Sequence, residues 1–251
     1  MAEIPEPILS WPQAHAGPQT SGFDLITINL HSVAALTNDI IPGGTIDQRF
    51  VFTPAYPPKS NVRGREVSGL IARLRGMRGR VRMYDPLRRI PAYNMKVLVT
   101  EHGFSDGTPW SDGTGWKDGF LPPMVSAAAL GRRGDRSLVL GGFPASTSAV
   151  LTMGDLFEVR PNGQFASHGH LYIVTHVAHS DGNGETRVQF EPGLRAGVAA
   201  GDQIVLRDPT TVFQLASDAE GRAARDVNGH WRMGATLIEV PLPLPGREFG
   251  Q

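Results

Sequence analysis

The sequence contains no cysteine among its 251 residues. Disulfide bonds, thiol nucleophiles and cysteine-ligated zinc are therefore excluded. The sequence also lacks an apolar run approaching the roughly 18 residues that a transmembrane helix needs. The opening stretch MAEIPEPILSWPQ does not show the basic and then apolar pattern of a secretory signal. We expect a soluble chain with no membrane partner, suited to a reducing compartment.

An excess of charge of one sign is missing too, because 24 Lys and Arg balance 24 Asp and Glu. The total charge thus predicts no nucleic-acid partner. The charges are nevertheless segregated along the chain. Residues 1–58 hold one Arg against five acids, residues 59–89 hold ten Lys or Arg against two acids, and residues 101–119 hold one Lys against four acids. Such blocks suit a subunit whose neighbours complement its charge.

Glycine and proline, in contrast, are abundant, with 30 and 20 residues. This composition favours short strands and turns over a helical bundle. Stretches with strand-like alternation or β-branched content occur at 24–30, 48–54, 81–85, 95–101, 137–143, 155–160, 170–178, 186–192, 202–208, 212–216 and 235–242. Asp181-Gly182-Asn183-Gly184 adds a hairpin motif between two of them. The chain is predicted to be mainly β.

One segment, residues 66–76, has helical periodicity instead. Val67, Leu70, Ile71 and Leu74 recur at the spacing of a single apolar helix face. Gly76 or Gly79 can end the helix, and the arginines beyond the apolar face suit its C-terminal dipole. We predict one helix of about three turns.

The predicted elements fall into two groups. Strands 137–208 make a compact antiparallel set of about 70 residues, the size of a small barrel or sandwich. The helix and strands before this set, and the two strands after it, are each incomplete on their own. Together they would form one domain that the compact set interrupts, which is feasible because the two ends of an inserted domain usually lie close together.

The segment SDGTPWSDGTGWKDGF, residues 105–120, nearly repeats itself every six residues. Asp106, Asp112 and Asp118 could supply oxygens to calcium, but calcium loops place their ligands at a different spacing. Asp-Gly pairs are turn formers, and the tryptophans and phenylalanine between them are residue types enriched in protein interfaces. We therefore favour an interface loop with aromatic anchors at Trp110, Trp116 and Phe120.

Four histidines, His168, His170, His176 and His179, lie within twelve residues of one another. A His-x-His pair can chelate zinc, and on a strand the first three would share one face. Because no acidic residue at ligand spacing joins them, we predict a solvated strand face and no metal.

The basic block 59–89 could bind phosphate, but its only aromatic residue is Tyr84. Nucleic-acid recognition would favour more stacking side chains or a recognised motif. We interpret the block as a basic face that docks onto acidic neighbours, copies of the same chain among them. The residues chosen for this face are Arg73, Arg75, Arg78, Arg80 and Arg82.

Catalytic motifs are missing as well. The sequence has no G-x-S-x-G, H-E-x-x-H, P-loop or dinucleotide fingerprint. We predict no catalytic residue, no cofactor and no enzymatic activity. A cell-envelope hydrolase is an alternative that would need a titratable acid pair in a cleft, and no sequence feature favours it.

The order of several short motifs resembles minor tail proteins of long-tailed bacteriophages. The similarity spans most of residues 65–242. It includes LRGMRGRVRMYDP at 74–86, the paired SDG elements at 105–113 and VFQLASDAEG at 212–221. Further matching motifs are Arg136-Ser137-Leu138, Gly142-Phe143-Pro144, Gly154-Asp155 with Phe157, Asp181-Gly182, and Glu191-Pro192 with Leu194-Arg195. The sequence departs from the family pattern at Phe143, at Gly193 and in the histidine cluster.

The resemblance implies a structural virion protein similar to distal tail proteins, which form commonly hexameric rings between the tail tube and the tip or baseplate. It implies a β-sandwich with one helix, residues 1–118 and 209–251, interrupted by an inserted antiparallel β-barrel at 119–208. Partners would be other copies of the chain, the tail tube protein and the hub or tip proteins, with DNA passing through the lumen unbound. The protein would reach the virion tail tip after assembly in the host cytoplasm.

A carbohydrate-binding module for receptor recognition is the alternative function. In that interpretation Trp110, Trp116 and Tyr172 would be stacking platforms for sugar rings.

Overall fold

The structure is a computed structural model of the chain. It describes residues 8–11, 22–33, 40–54, 61–91, 101–102, 116–117, 125–161, 168–219, 223–225, 231–233 and 235–243. The description covers the backbone alone at residues 28–33, 40–46, 61–64, 101–102, 116–117, 223–225 and 231–233.

Within these ranges the chain forms strands, one α-helix and one 3₁₀ turn. The helix α1 spans Asn61–Leu74, and the 3₁₀ turn spans Gly76–Arg78. The strands are β1 (Leu9–Ser10), β2 (Phe23–Val33), β3 (Ile40–Phe52), β4 (Val81–Tyr84), β5 (Glu101–His102), β6 (Trp116–Lys117), β7 (Val125–Ala127), β8 (Ser137–Gly141), β9 (Leu156–Arg160), β10 (His170–Val174), β11 (Glu185–Glu191), β12 (Gln203–Val205), β13 (Thr210–Leu215), β14 (Ala223–Arg225), β15 (Trp231–Met233) and β16 (Leu237–Glu239). The prediction of a mainly β chain with one helix is confirmed for the described residues.

The chain divides into two compact units. The sheet unit comprises Met1–Leu87 and Thr210–Leu242, and the barrel unit comprises Arg88–Pro209 and Pro243–Gln251. The predicted boundary at 118/119 falls outside the described residues. The predicted boundary at 208/209 lies one residue from the division between Pro209 and Thr210.

The sheet unit is built on a six-stranded mixed sheet, in the order β1-β4-β13-β16-β3-β2. The pair β1 and β4 is parallel, and the other neighbours are antiparallel. Four phenylalanines from β2, β3 and β13 form the core, with the Phe23 ring centroid 4.8 Å from that of Phe213 and 5.3 Å from that of Phe52. Their burial follows from strand alternation, which points every second side chain to the same face.

Helix α1 buries Val67, Leu70 and Leu74, and Ile71 is half-buried. The apolar face predicted from the sequence is therefore the face that packs. The helix begins five residues before the predicted start at Glu66, because its first turn, Asn61–Gly64, carries little apolar periodicity. It ends at Leu74 because Arg75 adopts a left-handed conformation with φ 50° and ψ 47°.

The barrel unit contains a closed barrel with the strand order β10-β11-β8-β7-β12-β9. All six contacts between neighbouring strands are antiparallel. The core is a single cluster of buried apolar side chains, and Leu140, Leu151, Phe157 and Val188 are completely enclosed. The sequence pattern was compatible with either a barrel or a sandwich for this unit. The structure shows a closed barrel.

Three turns of the form x-x-Gly-Asp lead into barrel strands, and we call them the Gly-Asp corners. They are residues 132–135 before β8, residues 152–155 before β9 and residues 199–202 before β12. In each corner the Asp N–H donates to the carbonyl three residues earlier, at 3.0–3.1 Å. The Asp carboxylate accepts the N–H of that same residue at 2.7–2.8 Å. Each corner is a type II turn, since its glycine has a φ of 88–94°.

Each corner is also fixed to one buried residue elsewhere in the barrel unit. The corner glycine donates its N–H to the carbonyl of that residue, and the corner Asp carbonyl accepts the N–H of that residue. The three anchored residues are Leu194, Val174 and Ala127, each 1% exposed. The same hydrogen-bond arrangement therefore fixes the start of three of the six barrel strands.

Candidate subunit-interface surface

The five predicted basic interface residues lie on one continuous segment, and we call them the arginine surface. Arg73 is in the last turn of α1, Arg75 and Arg78 flank or lie in the 3₁₀ turn, Arg80 immediately precedes β4, and Arg82 is the second residue of β4. The first four are exposed, and Arg82 is half-buried. Strand alternation explains why Arg82 is less buried than its neighbours, because Val81 and Met83 are the residues of β4 that point into the core.

The turn that carries the arginine surface is held from a distant part of the chain. The Asp218 carboxylate accepts the Met77 N–H at 2.8 Å. Gly76 has a φ of 71°, and a Cβ at this position would lie 2.2 Å from the Asp218 Oδ1 atom. The Gly79 N–H then closes the helix end by donating to the Leu74 carbonyl at 2.7 Å. Glycine at 76 is thus required both by its conformation and by the close approach of Asp218.

The strand after the turn is paired on its outer side. The Leu9 N–H donates to the Arg80 carbonyl at 2.9 Å, and the Trp11 N–H donates to the Arg82 carbonyl at 3.3 Å. Strand β4 also pairs with β13, where Val212 lies opposite Arg82. The backbone around Arg82 therefore lies within the sheet, between β1 and β13.

The basic block contains two acidic residues, Asp85 and Glu66. Asp85 is fully buried, and its two carboxylate oxygens accept the Phe23 N–H at 3.0 Å and the Leu87 N–H at 2.8 Å. Glu66 is exposed on α1, and Asp218 is engaged by the turn. Arg89 is different, because it forms a two-pronged ion pair with Asp208 inside the barrel unit, at 2.7 and 3.1 Å. Five of the ten basic residues of 59–89 thus make up the arginine surface.

None of the three aromatic residues predicted as interface anchors has a described side chain. Trp110 and Phe120 lie outside the described residues, and Trp116 is described by its backbone alone. Strands β5 and β6 pair antiparallel, with His102 opposite Trp116. The interface role of Trp110, Trp116 and Phe120 stays a prediction.

Tyr172 cannot be the sugar platform that the carbohydrate alternative requires. Its side chain is 1% exposed inside the barrel, where its ring centroid lies 5.4 Å from that of Phe157 and 5.1 Å from that of Phe190. Its hydroxyl accepts the Arg195 N–H at 3.2 Å. Because no ring face is open to a sugar, the prediction of Tyr172 as a glycan contact is wrong. On strand β10 it lies on the side of the pleat that fills the core.

The histidines do not form a solvated strand face, and that prediction is also wrong. Strand β10 contains only His170, which is buried, and His168 is buried just before it. The His168 Nε2–H donates to the Pro243 carbonyl at 3.2 Å. His179 is exposed, and its Nδ1 accepts the Ala149 N–H at 3.1 Å. Among the described residues no group of three or more His, Asp or Glu could hold a metal ion.

The buried carboxylates stabilise the fold by accepting hydrogen bonds. Glu239 accepts the Phe50 N–H at 3.1 Å and the Thr211 hydroxyl at 2.9 Å. Glu158 forms a two-pronged pair with Arg160 at 2.7 and 2.8 Å. Paired in this way, a buried carboxylate avoids the cost of an uncompensated charge.

Two residues near the arginine surface were missed by the sequence analysis. Asp218 lies 141 positions from the backbone N–H that it accepts, and a contact at such a separation leaves no periodic pattern. Met77 is 41% exposed among the arginines. Its exposure follows from the 3₁₀ turn, and the x-R-G-M-R-G-R sequence could have indicated an exposed loop residue.

The chain matches no protein-family model, and no curated protein matches it. In the part of the chain that the structure describes, no helix is long and apolar enough to cross a membrane.

Proposed function

We propose that the chain is a structural protein of the tail tip of a long-tailed bacteriophage, similar to distal tail proteins. In this role it forms a ring, commonly a hexamer, that joins the tail tube to the tip or baseplate. It has no enzymatic activity and needs no cofactor. The observation that carries the proposal is the order of motifs along residues 65–242, which resembles that family.

The architecture supports this proposal. The family combines a β domain and one helix with an additional β domain, and here a sheet unit with helix α1 is interrupted by a closed barrel. We propose that the mixed sheet is one layer of the β-sandwich expected for the ring domain. The ring domain would extend over residues 1–118 and 209–251, around a barrel at 119–208.

The charge distribution also supports a ring. Subunits in a ring meet head to tail, so each must carry two different and complementary patches. The arginine surface is a basic candidate for one of them, and the acidic segment 101–119 is a candidate for the other. DNA would pass through the lumen without specific binding, while the tail tube protein and the hub or tip proteins would occupy the two faces of the ring.

The first test is the mass and shape of the purified protein. Light scattering on a sizing column, together with negative-stain images, should give a hollow ring of several 27.1 kDa subunits. The control is the same measurement in the presence of tail tubes, because a tube can act as the template for assembly. A strict monomer under both conditions would contradict the proposal. Retention of the monomer on immobilised host glycans would then support the carbohydrate-binding alternative.

A further inference from the structure

The arginine surface presents its charge from a turn whose backbone is already ordered. Four exposed arginines lie within eight residues, Arg73 to Arg80. Two hydrogen bonds fix this turn. The Asp218 carboxylate accepts the Met77 N–H, and the Gly79 N–H donates to the Leu74 carbonyl. A preordered surface loses less conformational entropy on binding. The segment is therefore suited to recognition by charge, and the rigid planar guanidinium suits carboxylate partners.

The chemistry of the surface favours an acidic, aromatic partner. Arginine pairs with carboxylates through two parallel hydrogen bonds, and it also stacks on the faces of aromatic rings. Met77, exposed between Arg75 and Arg78, adds an adaptable apolar contact. A partner that alternates carboxylates with tryptophan would use all three kinds of contact.

The chain itself contains a segment of that composition. The Asp-Gly repeat, residues 105–120, places Asp106, Asp112 and Asp118 six residues apart, with Trp110 and Trp116 between them. The repeat has three acids and one lysine, whereas the arginine surface has five arginines. We propose that the arginine surface of one copy binds the Asp-Gly repeat of a neighbouring copy. This inference rests on the proposed ring, in which every subunit offers both patches.

Nucleic acid is the competing partner for an arginine-rich surface. Stacking platforms for bases are scarce here, because Tyr84 is the only aromatic residue of the block 59–89. The zero net charge of the chain gives no general attraction to DNA either. These observations favour the Asp-Gly repeat over nucleic acid as the partner of the arginine surface.

Two charge-reversed variants test the pairing. The first is Arg73→Glu with Arg78→Glu and Arg80→Glu, which makes the net charge of the arginine surface negative. The second is Asp106→Lys with Asp112→Lys, which makes the net charge of the repeat positive. Each variant alone brings like charges together, so we expect its self-association to weaken by about 100-fold or more. The matched control is Arg132→Glu with Arg133→Glu, which reverses two exposed arginines in a Gly-Asp corner of the barrel unit. The control should assemble like the original protein, and circular dichroism should show that all three variants are folded.

Mixing the two variants is the decisive measurement. The reversed surface of the first variant complements the reversed repeat of the second, and their unaltered patches also match. An equimolar mixture should therefore assemble into rings in which the two variants alternate. Rescue only when all five substitutions are in the same chain would indicate pairing within one copy and would overturn the proposal.

The remaining outcomes separate this proposal from the proposed function. If the original protein forms rings and both variants form them equally well, the pairing is wrong and the ring stands. If the original protein forms no ring with or without tail tubes, both are wrong. Fluorescence anisotropy with a labelled DNA duplex completes the test. Loss of DNA binding in the first variant with unchanged assembly would assign the arginine surface to nucleic acid and overturn the pairing.

Discussion

At the scale of single residues, the Gly-Asp corners depend on a glycine with positive φ. Gly154 has a φ of 94°, and a Cβ added there would meet no atom within 4 Å. Gly154→Ala should therefore cost only the conformational term, about 1–2 kcal/mol of unfolding free energy. Urea unfolding of the purified protein would measure it.

The matched control for this substitution is Gly182→Ala. Gly182 lies in the turn before β11, has no positive φ, and also has open space around an added Cβ. Its replacement should leave the unfolding free energy within about 0.5 kcal/mol of the original. Equal losses at Gly154 and Gly182 would show that the corner conformation is not the cause.

The Asp side chain of a corner makes the second single-residue contribution. Asp155 is 4% exposed, and its Oδ2 accepts the Thr152 N–H at 2.7 Å and the Thr152 hydroxyl at 3.1 Å. Asp155→Ala leaves these donors without their acceptor and should cost about 1–3 kcal/mol. Asp155→Asn keeps one side-chain oxygen, so thermal unfolding should place it between Ala and the original. An alanine variant as stable as asparagine would contradict this role.

At the scale of elements, helix α1 contains a glycine that its packing does not need. Gly69 is exposed in the helix interior, and a Cβ there would meet no atom within 4 Å. Gly69→Ala should stabilise the sheet unit by about 1 kcal/mol, since alanine loses less backbone entropy on forming a helix. Ala72→Gly, at another exposed position of α1, should destabilise it by a similar amount. Thermal unfolding of both variants measures the two effects. A shift of both unfolding midpoints in the same direction would show that backbone entropy in α1 is not the cause.

The sequence predicted the elements whose pattern is long enough to be periodic. The stripe Val67, Leu70 and Leu74 located α1, and alternation located most strands from β2 to β16. Strands β1, β6, β7, β14 and β15 were missed, because each has only two or three residues and so little alternation of its own. The corners were missed for a different reason. Their x-x-Gly-Asp pattern is local, but its meaning depends on hydrogen bonds to Leu194, Val174 and Ala127 elsewhere in the chain.

Some features of the candidate site could likewise be predicted from the sequence, and others could not. The composition of the chain located the arginine surface, since charge segregation is visible without a fold. The sequence could not show which side chains of a strand are buried. Tyr172 was predicted to contact a sugar, although its ring is enclosed by Phe157 and Phe190. Nor could it find the anchor Asp218, whose contact depends on how distant strands are arranged.

At the scale of the whole molecule, the two units have separate sheets and separate cores. Units with their own cores commonly unfold in separate transitions. Calorimetry should therefore show two transitions. Gly154→Ala should lower the midpoint of one, and Gly69→Ala should raise the midpoint of the other. A single transition that both substitutions shift would show that the units unfold together.

Assembly is the property on which the proposed function depends, and the Asp-Gly repeat should contribute to it through its tryptophans. Trp110→Ala with Trp116→Ala removes two large aromatic contacts, and central interface aromatics commonly contribute 2 kcal/mol or more each, by order of magnitude. The double variant should remain monomeric at concentrations where the original protein forms rings, as measured by light scattering. Trp110→Phe with Trp116→Phe is the control, because it keeps an aromatic face for arginine stacking and should retain part of the association. If the double alanine variant assembles without impairment, the tryptophans do not hold the subunits together.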